Sequence, residues 1–157
     1  GVKDCRVLSM SRFVFPYGIR FQEDGHIGIF PAAEIFVVGM GGKGIRALFH
    51  IDSGATTTLL SASDAGALGI DIRSGKKILV RGISGEPLLG YTHIVRMQFN
   101  GIILNVPVIF VERTTVPRVL GREGIFPRFC IVFDEAKHHI LFLENKKEQK
   151  IIDSLFR

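Results

Sequence analysis

Hydrophobic residues in this chain occur in short runs that are rich in Val, Ile and Phe and that end at Gly or Asn turns. β-Branched and aromatic side chains favour strands, and closely spaced turn residues favour hairpins between them. The sequence therefore predicts an all-β fold. The predicted strands cover residues 27–38, 44–51, 77–83, 88–99, 102–111, 116–120, 128–133 and 138–143.

One hairpin turn and two short helices can be assigned within this pattern. The Asn-Gly pair in "FNGII" at 99–103 separates two apolar runs, which is the strongest short-range signal for a hairpin. A short helix is predicted in 60–69, with Ser61 or Ser63 as its N-cap. A second helix is predicted in 145–156, where the apolar residues fall on one side.

Length and composition limit the class of protein. A chain of 157 residues is long enough for one domain with a substantial core, and a hydrophobic content of 46% excludes a disordered chain. No apolar run reaches the roughly 18 residues that a membrane-spanning helix needs, so no membrane contact is expected within this segment. The net charge of +5 is dispersed along the chain, so we expect no nucleic-acid partner.

Cysteine usage bears on the compartment. Cys5 and Cys130 are too few for a disulfide framework, and they are compatible with a reducing compartment. Two locations stay open on this basis: the cytoplasm, or a soluble domain of a membrane-anchored protein.

No cofactor or metal site is predicted. Gly39, Gly41 and Gly44 have the spacing G-x-G-x-x-G, but a strand is predicted directly after them, whereas a dinucleotide site needs a helix there. His138 and His139 are adjacent, so on a strand they point to opposite faces and cannot share a metal ion. The other histidines show no ligand spacing.

The stretch "FHIDSGATTTLL" at 49–60 carries the main chemical signal. Asp52 lies among apolar residues, where an unpaired carboxylate is costly. A strand is predicted to end at this residue, and the small residues Ser53, Gly54 and Ala55 permit a tight turn and the close approach of another chain. This is the D-[ST]-G-[AS] pattern of aspartic proteases. Because Asp-Ser-Gly is also common at ordinary turns, the pattern alone does not decide the function.

A glycine-rich stretch between apolar strands follows later in the chain. "VRGISGEPL" at 80–88 resembles the mobile flap hairpin of retroviral-type proteases, whose glycines let the backbone close over a substrate. This resemblance implies that four residues form the flap and contact substrate: Gly82, Ile83, Ser84 and Gly85.

A third stretch, "VPRVLGREGIF" at 116–126, resembles the segment that ends the core of these proteases. In that family an apolar pair passes behind the active-site turn, and a glycine, an arginine and a short helix follow. Here the apolar pair is Val119 and Leu120, and Gly121 and Arg122 come next. The resemblance implies that Val119 also lines a substrate pocket.

The order and spacing of the three stretches resemble the retropepsin-like aspartic proteases. The segment "LLSASDAGALGID" after the motif is similar to the cellular and bacterial members rather than to the viral enzymes. The resemblance implies a homodimeric, single-domain, closed β-barrel with a flap hairpin over residues 30–143. Residues 1–29 would be an extension of unassigned role, and 144–157 a tail that includes the predicted helix.

The chain departs from the family pattern at several positions. Ser53 stands where threonine is commoner, and Glu123 takes the place of the usual Asp or Asn. In viral enzymes an acidic residue follows the motif and pairs with the late arginine. Here Thr56 and Thr57 occupy that region, so the sequence does not identify the partner of Arg122.

The resemblance implies an aspartic endopeptidase without a cofactor. Only Asp52 matches the motif, whereas the reaction needs two aspartates, so two chains would each contribute one at a two-fold axis. The pair would share one proton and activate a water molecule to attack a peptide substrate. Two alternatives stay open: a non-catalytic dimer of the same fold that binds peptides or organises an assembly, and an unrelated β-rich protein with Asp-Ser-Gly-Ala as a surface turn.

Overall fold

The computed structural model describes residues 6–9, 11–81 and 85–157. Three residues of the predicted flap, Gly82, Ile83 and Ser84, lie outside this range. The described residues form thirteen strands, two short α-helices and one 3-10 turn, which confirms the all-β prediction. The strands are β1 (Arg6–Ser9), β2 (Arg12–Pro16), β3 (Gly18–Phe21), β4 (Ile27–Phe30), β5 (Ala32–Val38), β6 (Gly44–Ile51), β7 (Thr58–Ser61), β8 (Lys76–Arg81), β9 (Pro87–Phe99), β10 (Ile102–Val111), β11 (Val119–Leu120), β12 (Phe129–Asp134) and β13 (His139–Glu144).

The largest sheet has seven strands in the order β10-β7-β11-β6-β5-β9-β8. Strand β9 also pairs with β10, so the strands from β10 to β9 in this order form a closed ring. The turn between β9 and β10 has positive φ at Asn100 (45°) and Gly101 (91°). Two such residues form the turn that matches the natural twist of a hairpin, which explains the predictive value of this dipeptide.

The two predicted helices are present, and both are shorter than their predicted ranges. Helix α1 (Ala62–Ala67) has Ser61 as N-cap, and the Asp64 backbone N–H donates to the Ser61 hydroxyl in a capping box. Helix α2 (Gln149–Ser154) follows Glu148, which makes no side-chain cap bond. The Glu148 carboxylate instead accepts from Arg12, with 2.8 Å between Nε and Oε1, and from Ser11. None of the helices in the described ranges is long and apolar enough to span a membrane.

A second sheet joins the two ends of the described chain. Its order is β1-β2-β13-β12, with Phe13 of β2 opposite Phe142 of β13. Phe13 and Phe15 are buried in the same core cluster as the aromatic residues Phe99 and Phe142 of the later strands. Part of the segment 1–29 is therefore built into the core, a role that the sequence motifs did not reveal.

The predicted strand 27–38 is in fact two strands, β4 and β5, interrupted at Pro31. Proline has no N–H to donate to a sheet. The Pro31 carbonyl accepts a hydrogen bond from the Ile51 backbone N–H at 3.0 Å. Strand β4 pairs with β3 as a separate two-stranded hairpin, whereas β5 pairs with β6 in the large sheet.

Candidate active site

Asp52 lies at the end of β6, where the strand leaves the core. Ile51, the last residue of the strand, is buried, and Asp52 is half-buried. The Asp52 backbone N–H donates to the Leu120 carbonyl at 3.1 Å. Strand β11 runs parallel to β6, with Leu120 opposite Ile51. The position of Asp52 is therefore set by two strands that are distant in sequence.

The turn after β6 holds the carboxylate through its own backbone. The Gly54 N–H donates to Asp52 Oδ1 at 2.9 Å, and the Ala55 N–H donates to the Asp52 carbonyl at 3.2 Å. An aspartate that accepts from the N–H two residues later forms an Asx-turn. Ser53 and Gly54 are exposed. The turn therefore presents the Asp52 carboxylate at the surface in a fixed orientation.

Gly121 packs against the chain directly after this turn. Its N–H donates to the hydroxyl oxygen of Thr58 at 3.0 Å, and Thr58 is fully buried. A Cβ atom at Gly121 would lie 2.5 Å from the backbone carbonyl carbon of Thr57 and 2.8 Å from its nitrogen. Because backbone atoms cannot move aside as a flexible side chain can, only glycine fits at this position.

Arg122 and Glu123 donate backbone hydrogen bonds to the two residues that follow Gly54. The Arg122 N–H donates to the Ala55 carbonyl at 3.0 Å, and the Glu123 N–H donates to the Thr56 carbonyl at 2.9 Å. The Arg122 side chain reaches the Thr56 hydroxyl, with 3.4 Å between Nη2 and Oγ1. Thr56 is thus a partner of Arg122 that the sequence did not identify. In this chain the neutral hydroxyl group of Thr56 accepts a hydrogen bond from Arg122.

Sequence reasoning also missed a carboxylate–guanidinium pair near the site. Arg118 Nη2 lies 2.8 Å from Asp64 Oδ1, and Arg118 Nε lies 3.2 Å from both carboxylate oxygens. Asp64 is 6% exposed. Burial alone would raise its pKa, but the hydrogen bonds from Arg118 and from the Ser61 backbone N–H outweigh burial and lower the pKa below its usual value. The pair ties α1 to the segment that leads into β11.

The structure brings six of the predicted site residues together around one turn: Asp52, Ser53, Gly54, Ala55, Gly121 and Arg122. Val119 is half-buried in β11 and lies opposite His50 and Leu59. Gly85 has a positive φ of 83° and lies in the connection between β8 and β9, a different segment.

Within residues 6–9, 11–81 and 85–157, no group of three or more His, Cys, Asp or Glu residues is placed to hold a metal ion. The chemically distinctive feature at the end of β6 is therefore a surface carboxylate in a backbone-held turn. Such a group can act as a proton acceptor or donor.

Comparison with known families and structures agrees with this geometry. The model of the aspartyl protease family matches residues 37–123, which is more than half of the chain and includes the turn and the Gly121 segment. No curated protein sequence matches the chain significantly.

Among solved structures, the retropepsin-like aspartic protease from Rickettsia conorii is 19% identical, with a TM-score of 0.54, over 83% of this chain and 89% of that one. The EIAV protease complexed with an inhibitor is 17% identical, with a TM-score of 0.46, over 59% of this chain and 82% of that one. At such identities the likeness to the Rickettsia structure shows the fold, which is retropepsin-like as the sequence predicted.

Proposed function

Because this chain belongs to the aspartyl protease family, we propose that it is an aspartic endopeptidase of the retropepsin type, with Asp52 as its catalytic residue. The observation that carries this proposal is the turn at the end of β6. It combines a half-buried carboxylate, a backbone N–H that orients one of its oxygens, and the exposed small residues Ser53 and Gly54 directly after it. Carboxylates that exchange protons with water and substrate need this combination of fixed geometry and access.

The active enzyme would be a homodimer in which two copies of Asp52 face each other. Two carboxylates in contact cannot both ionise readily, so they hold one proton between them and titrate as a unit. The ionised carboxylate takes a proton from the attacking water, and the protonated one donates a hydrogen bond to the carbonyl oxygen of the scissile peptide. The water oxygen then bonds to the carbonyl carbon as the C=O π bond opens to a tetrahedral intermediate. The proton taken from water passes to the leaving amine nitrogen as the C–N bond breaks and the C=O bond re-forms.

The neighbouring residues would keep the two carboxylates in register. The Gly54 N–H donates a hydrogen bond to the Asp52 carboxylate. The N–H groups of Gly121 and Arg122 fix the turn by donating to Thr58 and Ala55. Fixed supporting groups matter because a displacement of about 1 Å in a catalytic group costs roughly a hundredfold in rate. Ser53 and Ala55 leave room for the second chain.

The substrate would be an extended peptide that lies between this floor and the flap. Peptides bound in this way add a strand to the site and are read by pockets for alternate side chains. We propose that the flap comprises Gly82, Ile83, Ser84 and Gly85, and that Ile83 and Val119 line apolar pockets. The exposed position and positive φ of Gly85 support a hinge in this segment.

The test is the substitution Asp52→Asn, compared with Asp153→Asn. The amide is nearly isosteric with the carboxylate, but it cannot accept the proton of the water. Asp153 is exposed in α2, far along the chain from the turn. We expect Asp52→Asn to lower kcat for peptide hydrolysis by at least about a thousandfold while the melting temperature stays unchanged. Asp153→Asn should keep full activity. Substantial cleavage by purified Asp52→Asn protein would refute the assignment.

A further inference from the structure

The hairpin β3–β4 has an apolar face that the rest of the described chain leaves uncovered. Ile19, Phe21, Ile27 and Ile29 are 60%, 80%, 59% and 50% exposed. Ile19 lies opposite Ile29, and Phe21 lies opposite Ile27, so all four side chains belong to one face. Contiguous exposed patches of large apolar side chains mark interaction sites on soluble proteins.

The other face of this hairpin packs on β6, the strand that ends directly before Asp52. The ring of Phe30 stacks on the ring of His50, with 5.3 Å between centroids and an angle of 17°. The next residue, Pro31, accepts a hydrogen bond from the Ile51 backbone N–H. The base of the hairpin is therefore joined to the two residues that immediately precede Asp52.

We propose that the apolar face of the β3–β4 hairpin packs against a second copy of this chain and forms part of the homodimer interface. This inference rests on the proposed function, which requires two copies of the Asp52 turn to meet. A contact surface that includes the turn is continuous with the hairpin, because residues 30–31 bond directly to β6.

The area that a stable dimer needs supports this choice of partner. A specific interface buries about 800 Å² on each side and has an apolar centre. The turn itself exposes Ser53, Gly54 and Thr56, which are small or polar and supply little apolar area. The hairpin, whose base is joined to the two residues before Asp52, supplies large apolar side chains. In a two-fold dimer every such patch is used twice, once from each copy.

The marginal stability of a two-stranded hairpin also supports a contact with a second copy of the chain. A two-stranded ribbon with one face in water is only marginally stable by itself. In this chain one face is held by Phe30 on His50, and the second face lacks a cover within the described chain. Packing on a second copy would stabilise the hairpin and remove its apolar side chains from water.

The experiment compares Phe21→Asp with Phe156→Asp. Phe156, after α2, is 82% exposed, so the two substitutions introduce the same charge at equally exposed phenylalanines. Dimer dissociation constants of the full chain are measured by sedimentation over a dilution series. We expect Phe21→Asp to raise the dissociation constant at least about tenfold, since it places a charge in an apolar part of the interface. Phe156→Asp should leave it unchanged.

Hydrogen exchange provides a second measurement that does not depend on a variant. The backbone amides of residues 18–30 in the wild-type protein should become protected as the concentration rises through the dissociation constant. If Phe21→Asp fails to fold, as judged by circular dichroism, this protection decides the question. Absence of protection in 18–30 in a confirmed dimer overturns the proposal.

Other outcomes separate this proposal from the proposed function. A wild-type dimer that Phe21→Asp does not weaken overturns the role of the hairpin and leaves the Asp52 mechanism intact. A higher KM for peptide with an unchanged dimer also overturns it, since the face then binds substrate. A wild-type protein that stays monomeric at all concentrations overturns both. A Phe21-dependent dimer whose Asp52→Asn variant remains active supports the hairpin and refutes the protease assignment.

Discussion

Two aspartates in neighbouring segments, Asp52 and Asp64, are held in opposite ways. Asp64 is buried and receives several hydrogen bonds from Arg118, so its charge is neutralised within the chain. Asp52 is half-buried and accepts from the N–H of Gly54 in an exposed turn. A buried and paired carboxylate serves stability, whereas a carboxylate in an exposed, backbone-held turn is free to meet a substrate or a second chain. Accessibility to other molecules therefore distinguishes the proposed catalytic carboxylate of Asp52 from the structural carboxylate of Asp64.

The largest expected effect on stability comes from Gly121, the glycine that packs against the chain directly after the Asp52 turn. Gly121→Ala forces a Cβ atom against the Thr57 backbone. We expect a loss of about 3 kcal/mol in the free energy of unfolding and about a hundredfold lower kcat, because the turn is displaced. Urea unfolding and peptide hydrolysis measure the two effects.

Gly66→Ala is the control for this substitution. Gly66 is exposed in α1, and a Cβ there meets nothing within 4 Å. Alanine at this position should therefore stabilise the helix by up to about 1 kcal/mol without changing the rate. An unaltered kcat in Gly121→Ala would show that the turn does not need this support.

A second prediction compares the contributions of Asp64 and Asp52 to the free energy of unfolding. Asp64→Asn leaves Arg118 without its carboxylate, and we expect a loss of about 2 kcal/mol at neutral pH, since the guanidinium is partly exposed and can recover water. Asp52→Asn should change the free energy of unfolding by less than about 0.5 kcal/mol. Equal losses in the two variants would remove the distinction between them.

The difference in stability between wild type and Asp64→Asn should depend on pH, because the pKa of Asp64 is lowered in the folded state. Hydrogen bonds favour the ionised form in the folded state, so Asp64 contributes its full stabilisation above its unfolded pKa of about 3.9. The contribution is lost as the pH falls through the lower folded pKa. Unfolding curves of wild type and Asp64→Asn should therefore converge below about pH 4. A gap that does not narrow as the pH falls below about 4 would contradict the ion pair.

The smallest predicted loss of activity tests whether Asp52 needs a second chain. Wild-type protein is mixed with a tenfold excess of Asp52→Asn chains and left until subunits have exchanged. Most wild-type chains then pair with a mutant, so activity should fall about tenfold. Excess Asp64→Asn chains, which retain Asp52, should not inhibit. Activity that stays proportional to wild-type protein, despite confirmed exchange, would mean that one chain suffices.

Local sequence patterns predicted the elements that depend on local chemistry. The Asn100-Gly101 turn, the N-cap at Ser61 (one of two candidates) and the tight turn after Asp52 each follow from residues adjacent in sequence. Their backbone angles and hydrogen bonds are set within a few residues, so a pattern of amino-acid types is sufficient to predict them.

Pairings between distant segments were not predictable in this way. The contact of Arg118 with Asp64 and that of Arg122 with Thr56 depend on where β11 lies in the sheet. Strands β1, β2 and β3 were also missed, because each is only four or five residues long and takes its stability from partners elsewhere in the chain. Nothing in the local periodicity of a short segment identifies its partner.

The pairing of β2 with β13, reinforced by the ion pair between Arg12 and Glu148, has a consequence for the order of folding. Contacts between residues so distant in sequence must close a long loop, and they form late. A chain leaving the ribosome carries β2 without this partner strand until β13 has been synthesised. Until then Phe13 and Phe15 lack the side of their core that Phe142 supplies, and the nascent chain exposes an apolar segment of the kind that chaperones bind.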